Sequence, residues 1–398
     1  MKLSRWFAGF CHGALLLGIL FFPGTIKAGD GNKASELAKS LNDAQPRGGN
    51  SELLGQKWKA LIAEGQDGVP AILKAMDPQK PLGLNWLRPA LDAVLEKEKA
   101  SPKTLSFLES FVRDVNEPGV ARRQAFEWLQ KLEPEKAQNL VSGFLNDTNP
   151  ELRRDAVGAE LAALKALPKG KGVLEKAQNL LKVACDLDQV SDLAKTLKSE
   201  GVEVDLLKHY GFLTDWAVLG VFDNTKEEGF DKSYPAEPLP DVSKSYAGKD
   251  GKPIQWFTTK TNSPEGIVDL NKVIGKEKSA VAYVWTRVES EKDQEVEVRL
   301  GCITSLKVWL NSELVFQRDE YHHGQNANQH IARCKLKKGV NDLVIKVCQN
   351  NQKDSWAQNW QFQARFTDFA GYRAGVKQAP LPKVPAKVTA MASKEIEQ

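Results

Sequence analysis

The residues best suited to chemistry in this chain lie in two polar loops of its last third. The first loop, 317–330, contains Asp319, Glu320, Tyr321, His322, His323 and His330. Histidine and carboxylate side chains suit transition metals, so one interpretation of this loop is a metal or catalytic site. The other is a solvated connection between strands, because loops gather such residues in any case. The sequence leaves both interpretations open.

The second loop, 349–359, has the composition of a carbohydrate site. Such a site needs an exposed aromatic ring to stack on a sugar face and polar groups to hold its hydroxyls. Trp356 lies outside the alternating face of Trp360 and Phe362, so it serves either as a stacking platform or as a plug. The predicted ligand-binding residues are Trp356, Asn350, Asn351, Asp354, Tyr321, His322 and His323.

No familiar catalytic motif accompanies these loops. The sequence contains no G-x-S-x-G elbow, no H-E-x-x-H, no S-x-x-K and no phosphate-binding glycine loop. We therefore expect a non-catalytic protein without a cofactor.

The N-terminus has the organisation of a secretory signal peptide. Lys2 and Arg5 precede the apolar run 14–22, and Ala28 is a suitable cleavage point. The run is too short to span a bilayer. We predict removal of residues 1–28 and an exported protein, periplasmic or extracellular, with no remaining membrane span. The alternative is an uncleaved N-terminal anchor.

The charge of the mature chain argues against a nucleic-acid partner. Residues 1–28 hold three of the 55 basic residues and none of the 51 acidic ones, which leaves 52 basic residues against 51 acidic. A nearly neutral chain lacks the electrostatic footprint of a nucleic-acid-binding protein. The mature cysteines have no C-x-x-C spacing, and a disulfide among Cys302, Cys334 and Cys348 stays open.

From about residue 51 to residue 205 the apolar spacing is that of short helices. A local repeat supports helix hairpins, because residues 121–125 (ARRQA) match residues 152–156 (LRRDA) at an offset of 31. We expect the arginine pairs 122–123 and 153–154 either to cap neighbouring carbonyls and bridge to acids such as Asp155 and Glu160, or to form an anion-binding ladder. The repeat resembles HEAT repeats, which implies an α-solenoid over 51–205, behind a flexible segment at 29–50.

From about residue 206 to residue 371 apolar and polar residues alternate, which predicts antiparallel strands. Residues 279–288 are apolar on both faces and predict a central strand. Residues 306–311 (LKVWLN) and 336–347 (LKKGVNDLVIKV) resemble the sugar-binding sandwich of family 2 glycoside hydrolases. The resemblance implies a galactose-binding-like jelly roll. It also allows a structural calcium ion, with Asp223 and Asn224 as candidate ligands.

The whole architecture, α then β, resembles uncharacterised exported proteins of planctomycete-type bacteria, which place HEAT-like helices ahead of a sandwich. We predict a disordered tail at 372–398, rich in proline, alanine and lysine. The predicted function is binding of carbohydrate or envelope polysaccharide by the sandwich, with the helices as a protein-docking scaffold. The alternative is a structural or protein-interaction adaptor with no glycan ligand.

Overall fold

A computed structural model describes residues 30–45, 51–168 and 170–383. The predicted signal peptide, 1–28, lies outside the described residues. The chain divides into two compact units, Met1–Leu132 and Glu133–Gln398. Within the described ranges, no helix is long and apolar enough to cross a membrane.

The described part of the first unit is helical. Its helices are α1 (Asp30–Asn42), α2 (Ser51–Ala63), α3 (Val69–Lys74), α4 (Pro81–Lys97), α5 (Pro102–Arg113) and α6 (Gly119–Leu132). Helix α1 occupies residues 30–42 of the segment predicted to be flexible, 29–50, of which residue 29 and residues 46–50 lie outside the described residues. Its Ala34, Ala38 and Leu41 are buried, and burial of this narrow apolar stripe orders a segment that otherwise reads as polar.

The first arginine of each repeated pair is buried and caps a carbonyl. Arg122 Nε donates to the Val112 carbonyl at 2.9 Å, and Arg153 Nη1 donates to the Asp147 carbonyl at 2.8 Å. Both arginines are at most 2 % exposed. The equivalent contacts explain the sequence repeat, because each satisfies a carbonyl near the end of the preceding helical segment. Carbonyl capping is therefore confirmed for Arg122 and Arg153.

The second unit begins with helices and continues into sheets. Its first helices are α7 (Pro134–Val141), α8 (Pro150–Lys165), α9 (Lys171–Val183), α10 (Leu187–Ser199) and α11 (Leu206–Tyr210). A short α12 (Leu270–Val273) lies among the strands. The predicted domain boundary at 205/206 thus falls inside this unit. A helical region followed by antiparallel sheets is the observed architecture; the solenoid and the jelly roll remain predictions.

The strands form two larger antiparallel sheets and one hairpin. They are β1 (Asp215–Asp223), β2 (Ser245–Ala247), β3 (Pro253–Gln255), β4 (Phe257–Lys260), β5 (Val268–Asp269), β6 (Ala280–Ser290), β7 (Gln294–Cys302), β8 (Leu306–Leu310), β9 (Glu313–Arg318), β10 (His330–Leu336), β11 (Gly339–Gln349), β12 (Gln361–Thr367) and β13 (Val376–Gln378). The seven-stranded sheet has the order β4-β1-β6-β11-β8-β9, with β13 also paired to β6. The four-stranded sheet has the order β10-β7-β12-β5, and β2 pairs with β3.

The two larger sheets share one apolar core. Val284 and Ile345 of the larger sheet belong to the same buried cluster as Val298 and Phe362 of the smaller one. Strand β6 is buried along both faces, since Val284 faces this core while Tyr283 belongs to a second cluster on the opposite face. The prediction of a central strand that is apolar on both faces is confirmed.

An irregular segment, residues 228–244, covers the outer face of the seven-stranded sheet; we call it the covering segment. Phe230 and Tyr234 from this segment cluster with Trp256, Trp285 and Trp309. The sequence shows no apolar period between residues 228 and 244. The aromatic side chains of the covering segment form a second core, because β6 and β11 offer an apolar face there.

The described part of the predicted tail is ordered. Strand β13 pairs with β6 through Val376 and Gln378, and Gln378 Oε1 accepts hydrogen bonds from the backbone of Thr214 at 2.8 Å and Asp215 at 3.3 Å. The prediction of disorder from residue 372 is therefore wrong for this strand. Backbone pairing to β6 orders a segment that has no apolar period of its own. Residues 384–398 lie outside the described part.

Candidate ligand-binding site at the loop end of the sandwich

Three loops meet at one end of the sandwich. They follow β1, connect β9 to β10, and connect β11 to β12. Backbone hydrogen bonds fix their relation: Asn224 N donates to Ser279 O and Ser279 N to Asn350 O, each at 2.9 Å. His322 N donates to the carbonyl of Ile303 at 2.7 Å. These bonds anchor the loops, and the side-chain bond between His322 and Asn350 joins the two polar loops predicted from the sequence.

Asn350 is the centre of the hydrogen-bond network. Its Nδ2 donates to Glu227 Oε1 at 3.1 Å and to Gln352 Oε1 at 3.2 Å, while its Oδ1 lies 2.9 Å from His322 Nε2. A carboxylate can only accept, so Nδ2 faces Glu227 and Oδ1 faces the histidine, which places the His322 proton on Nε2. Asn350 is 4 % exposed. Asn350 is therefore placed to position its neighbours, and its predicted role in ligand binding stays a prediction.

Asn224 and Tyr321 form the base of the site. Asn224 is 1 % exposed, and its Nδ2 donates to the Tyr321 hydroxyl and to the Gln349 carbonyl, both at 3.0 Å. Burial raises the pKa of Tyr321 above its usual value, so the phenol stays protonated at neutral pH. Tyr321 thus supports the loop that carries His322.

Trp356 stands at the surface on a single turn of 3-10 helix, Ser355–Ala357. Ala357 is fully buried, and Lys278 Nζ donates to its carbonyl at 2.7 Å. The turn is thereby anchored from below while the Trp356 side chain is 59 % exposed.

The His322 ring packs edge-on against the indole, with ring centroids 5.5 Å apart at an interplanar angle of 86°. His322 has a backbone φ of 58°, a left-handed conformation that is unfavourable for residues other than glycine. Its backbone bond to Ile303 and its side-chain bond to Asn350 hold it there. Trp356 is therefore exposed and also oriented.

The remaining predicted residues take other positions. Asn351 and Asp354 lie in the Trp356 loop and are exposed. His323 lies apart from the indole, since its ring packs against His330 with centroids 5.6 Å apart and its Nδ1 bonds to Gln329 Nε2. Burial, with His323 and Arg318 as smaller causes, lowers the pKa of His330 to about 4.

The candidate calcium ligands are largely engaged in protein contacts. Asp223 Oδ1 accepts the Thr225 hydroxyl at 2.8 Å, and Asn224 is enclosed as described above. Calcium takes about six to eight oxygen ligands. Over the described ranges no group of three or more His, Cys, Asp or Glu side chains is placed to hold a metal ion. A calcium ion at Asp223 and Asn224 therefore stays a prediction, which the described residues do not test.

The structure adds two observations that the sequence did not predict. Glu227 is not among the predicted site residues, yet its carboxylate accepts a hydrogen bond from Asn350 Nδ2. Its backbone φ of 66° belongs to an irregular turn that no local pattern indicates. The question of a disulfide is also answered for the described residues, since Cys185, Cys302, Cys334 and Cys348 are free thiols.

No family model and no curated protein matches the chain. Similar solved structures include a β-glucosidase from Kluyveromyces marxianus in complex with glucose, at 18 % identity and TM-score 0.24, over 41 % of this chain and 16 % of that chain. A family 35 carbohydrate binding module from an environmental isolate matches at 15 % identity and TM-score 0.20, over 30 % of this chain and 96 % of that one. An anti-sigma factor domain-containing protein matches at 16 % identity and TM-score 0.23, over 35 % and 48 %.

The match thus spans about a sixth of the length of the β-glucosidase. Carbohydrate-active proteins are among these weak structural neighbours. At TM-scores this low, the similarities identify neither a family nor a ligand.

Proposed function

We propose that this protein binds a carbohydrate at the loop end of the sandwich, with Trp356 as the stacking platform. The observation that carries the proposal is an indole that is 59 % exposed and packs edge-on against the ring of His322. A rigid exposed aromatic ring gains contact area with a sugar face at little cost in conformational entropy. Trp356 fills no cavity at this end of the sandwich, so the platform interpretation fits it better than the plug.

Polar groups at the same end suit sugar hydroxyls. Glu227, Asn351 and Asp354 are exposed, and Gln352 and His322 are partly exposed. Carboxylates accept hydrogen bonds from hydroxyls, while amides both donate and accept. A few polar groups beside one aromatic face are the usual composition of a small saccharide site.

The proposal also covers where the protein acts and what its helices do. The signal-peptide pattern at 1–28 supports an exported protein, for which an envelope polysaccharide is the natural ligand. The sequence lacks the catalytic motifs named above, which supports binding without hydrolysis. The helical repeats would then serve as a docking scaffold for a protein partner.

A glycan array probed with the full chain tests this function. We expect binding to a subset of glycans, and loss of that binding in Trp356→Ala. Phe369→Ala is the matched control, because Phe369 is also an exposed aromatic residue, at 39 %, and lies in a turn beyond β12 under Arg333. Glycan binding that survives Trp356→Ala would refute the platform. Absence of any glycan binding, with a partner that co-purifies through the helices, would favour the adaptor.

A further inference from the structure

A cavity lies within the second unit, away from the loop site. It has a volume of about 410 Å³ and is lined by the end of α9, by α11 and by the chain around β12 and residues 371–373. Its charged and titratable lining side chains are strongly unbalanced. They include Lys182, Lys208, His209, Arg365 and Arg373 against the single acid Asp205. The cavity therefore has a positive lining.

Arg365 carries a buried charge without a counter-ion. It is 1 % exposed, its Nε donates to Asn328 Oδ1 at 3.1 Å, and its Nη1 donates to the Tyr210 carbonyl at 3.3 Å. Its Nη2 has no hydrogen-bond partner among the described residues, and across the same ranges Arg365 forms no ion pair. A buried guanidinium without a carboxylate is costly, and a bound anion would compensate it.

The surroundings of Arg365 are aromatic and buried and leave its positive charge in place. The guanidinium carbon lies 5.4 Å from the centroid of the Tyr210 ring and 5.6 Å from that of Phe212. Burial, together with the nearby charge of Arg299, lowers the pKa of Arg365 to about 10. The group is still protonated at neutral pH, so the positive charge is present.

Asp205 contributes one negative charge, which offsets only part of the positive lining. Its carboxylate caps α11 by accepting from Lys208 N at 3.0 Å. Arg373 Nη1 donates to the Lys208 carbonyl at 3.2 Å, and Lys182 Nζ donates to Asn179 Oδ1 at 2.9 Å. These neutral partners orient the basic groups and leave their charge in place.

We propose that this cavity binds a small organic molecule through an oxyanion group, either a carboxylate or a phosphate. Arg365, Arg373 and Lys208 supply the positive charge. Tyr210 and Tyr372 supply apolar walls for the rest of the molecule. The volume fits a small ligand. The site is separate from the proposed glycan platform and does not depend on it.

Calorimetric titration of the full chain with inorganic phosphate, and separately with acetate, tests the proposal at constant ionic strength set with chloride. Calorimetry is used because phosphate stabilises many proteins by exclusion from their surface. We expect saturable binding of one or both anions. Loss of one charge-assisted hydrogen bond should weaken it by about tenfold in Lys208→Gln and in Arg373→Gln.

Lys335→Gln is the matched control, since it removes the same charge from an exposed position on β10. Binding of phosphate alone would identify a phosphate group, and binding of acetate alone a carboxylate. The proposal would be overturned if neither anion bound, or if Lys335→Gln weakened binding as much as Lys208→Gln. The two exposed positions are chosen because substitution of the buried Arg365 would itself disturb folding.

Discussion

Tryptophans occur on two faces of the second unit in opposite environments. On the outer face of the seven-stranded sheet, Trp256, Trp285 and Trp309 are between 1 % and 8 % exposed. At the loop end, Trp356 is 59 % exposed. The residue type is the same, and the difference is the irregular segment that covers the sheet. In this unit the same residue type is therefore buried under the covering segment and exposed at the loop end.

The two regions are also held by different interactions. The covering segment is fixed by Lys346, which is 1 % exposed and lies 2.9 Å from Glu237 Oε1. The loop end is fixed by side-chain hydrogen bonds centred on Asn350. We therefore expect substitutions under the cover to lower stability, and substitutions at the open end to lower binding.

The largest expected effect separates a covered tryptophan from the open one. Trp309→Ala should lower the free energy of unfolding by about 3 to 5 kcal/mol, because it leaves a cavity in the second core. Trp356→Ala should change it by less than about 0.5 kcal/mol, as most surface substitutions do. Chemical denaturation of both variants checks this. Similar losses in the two would remove the distinction between the faces.

The next effect concerns the buried ion pair. Lys346 Nζ also donates to the carbonyls of Phe230 at 2.9 Å and Lys232 at 2.8 Å. Lys346→Met should cost about 3 kcal/mol, because Glu237 loses its buried partner. Limited proteolysis should then cut the covering segment faster. Lys335→Met, an exposed change of the same kind, should leave both measurements unchanged; an equal loss there would refute the role of Lys346.

Asn350→Ala should lower stability by about 1 to 2 kcal/mol, since buried polar partners lose their hydrogen bonds. Affinity for any glycan should fall as well, because His322 no longer orients the indole of Trp356. Denaturation and a binding titration together check this. Unchanged affinity would show that Trp356 needs no support from Asn350.

The smallest expected effect is a pH dependence at His330. Its pKa is about 4 in the folded protein and about 6.5 when unfolded. The unfolded chain binds the proton more tightly, so stability falls as pH decreases from about 6.5 towards 4. His330→Asn should reduce this slope and leave the slope above pH 7.5 unchanged. Equal slopes for both proteins below pH 6.5 would contradict the burial of His330.

Much of the sheet structure follows from local patterns. Alternation predicts strands β7, β8, β10, β11 and β12, because each has a face on the shared core, and a run that is apolar on both faces predicts β6. Strand β13 escapes prediction, since its order comes from pairing with β6 and not from apolar residues. The covering segment escapes for a similar reason: its aromatic residues pack on distant strands and show no period of their own.

The candidate site was predicted in composition but not in roles. Tyr321, His322, Asn350 and Trp356 do meet, because the two loops that carry them lie at the same end of the sandwich. Asn350 is buried, which composition cannot show. Arg365 alternates with Phe362, Ala364 and Phe366 and therefore reads as solvent-facing. It is buried because α11 and Phe212 pack on that face of β12.

The most direct test of the open face is a titration of the full chain with its best array glycan. Stacking on Trp356 predicts a loss of at least about tenfold in affinity for Trp356→Ala, a smaller loss for Trp356→Phe, which keeps an aromatic face, and no change for Phe369→Ala. Equal affinity of Trp356→Ala and the unmodified chain would contradict the proposal that the exposed tryptophan is the binding platform.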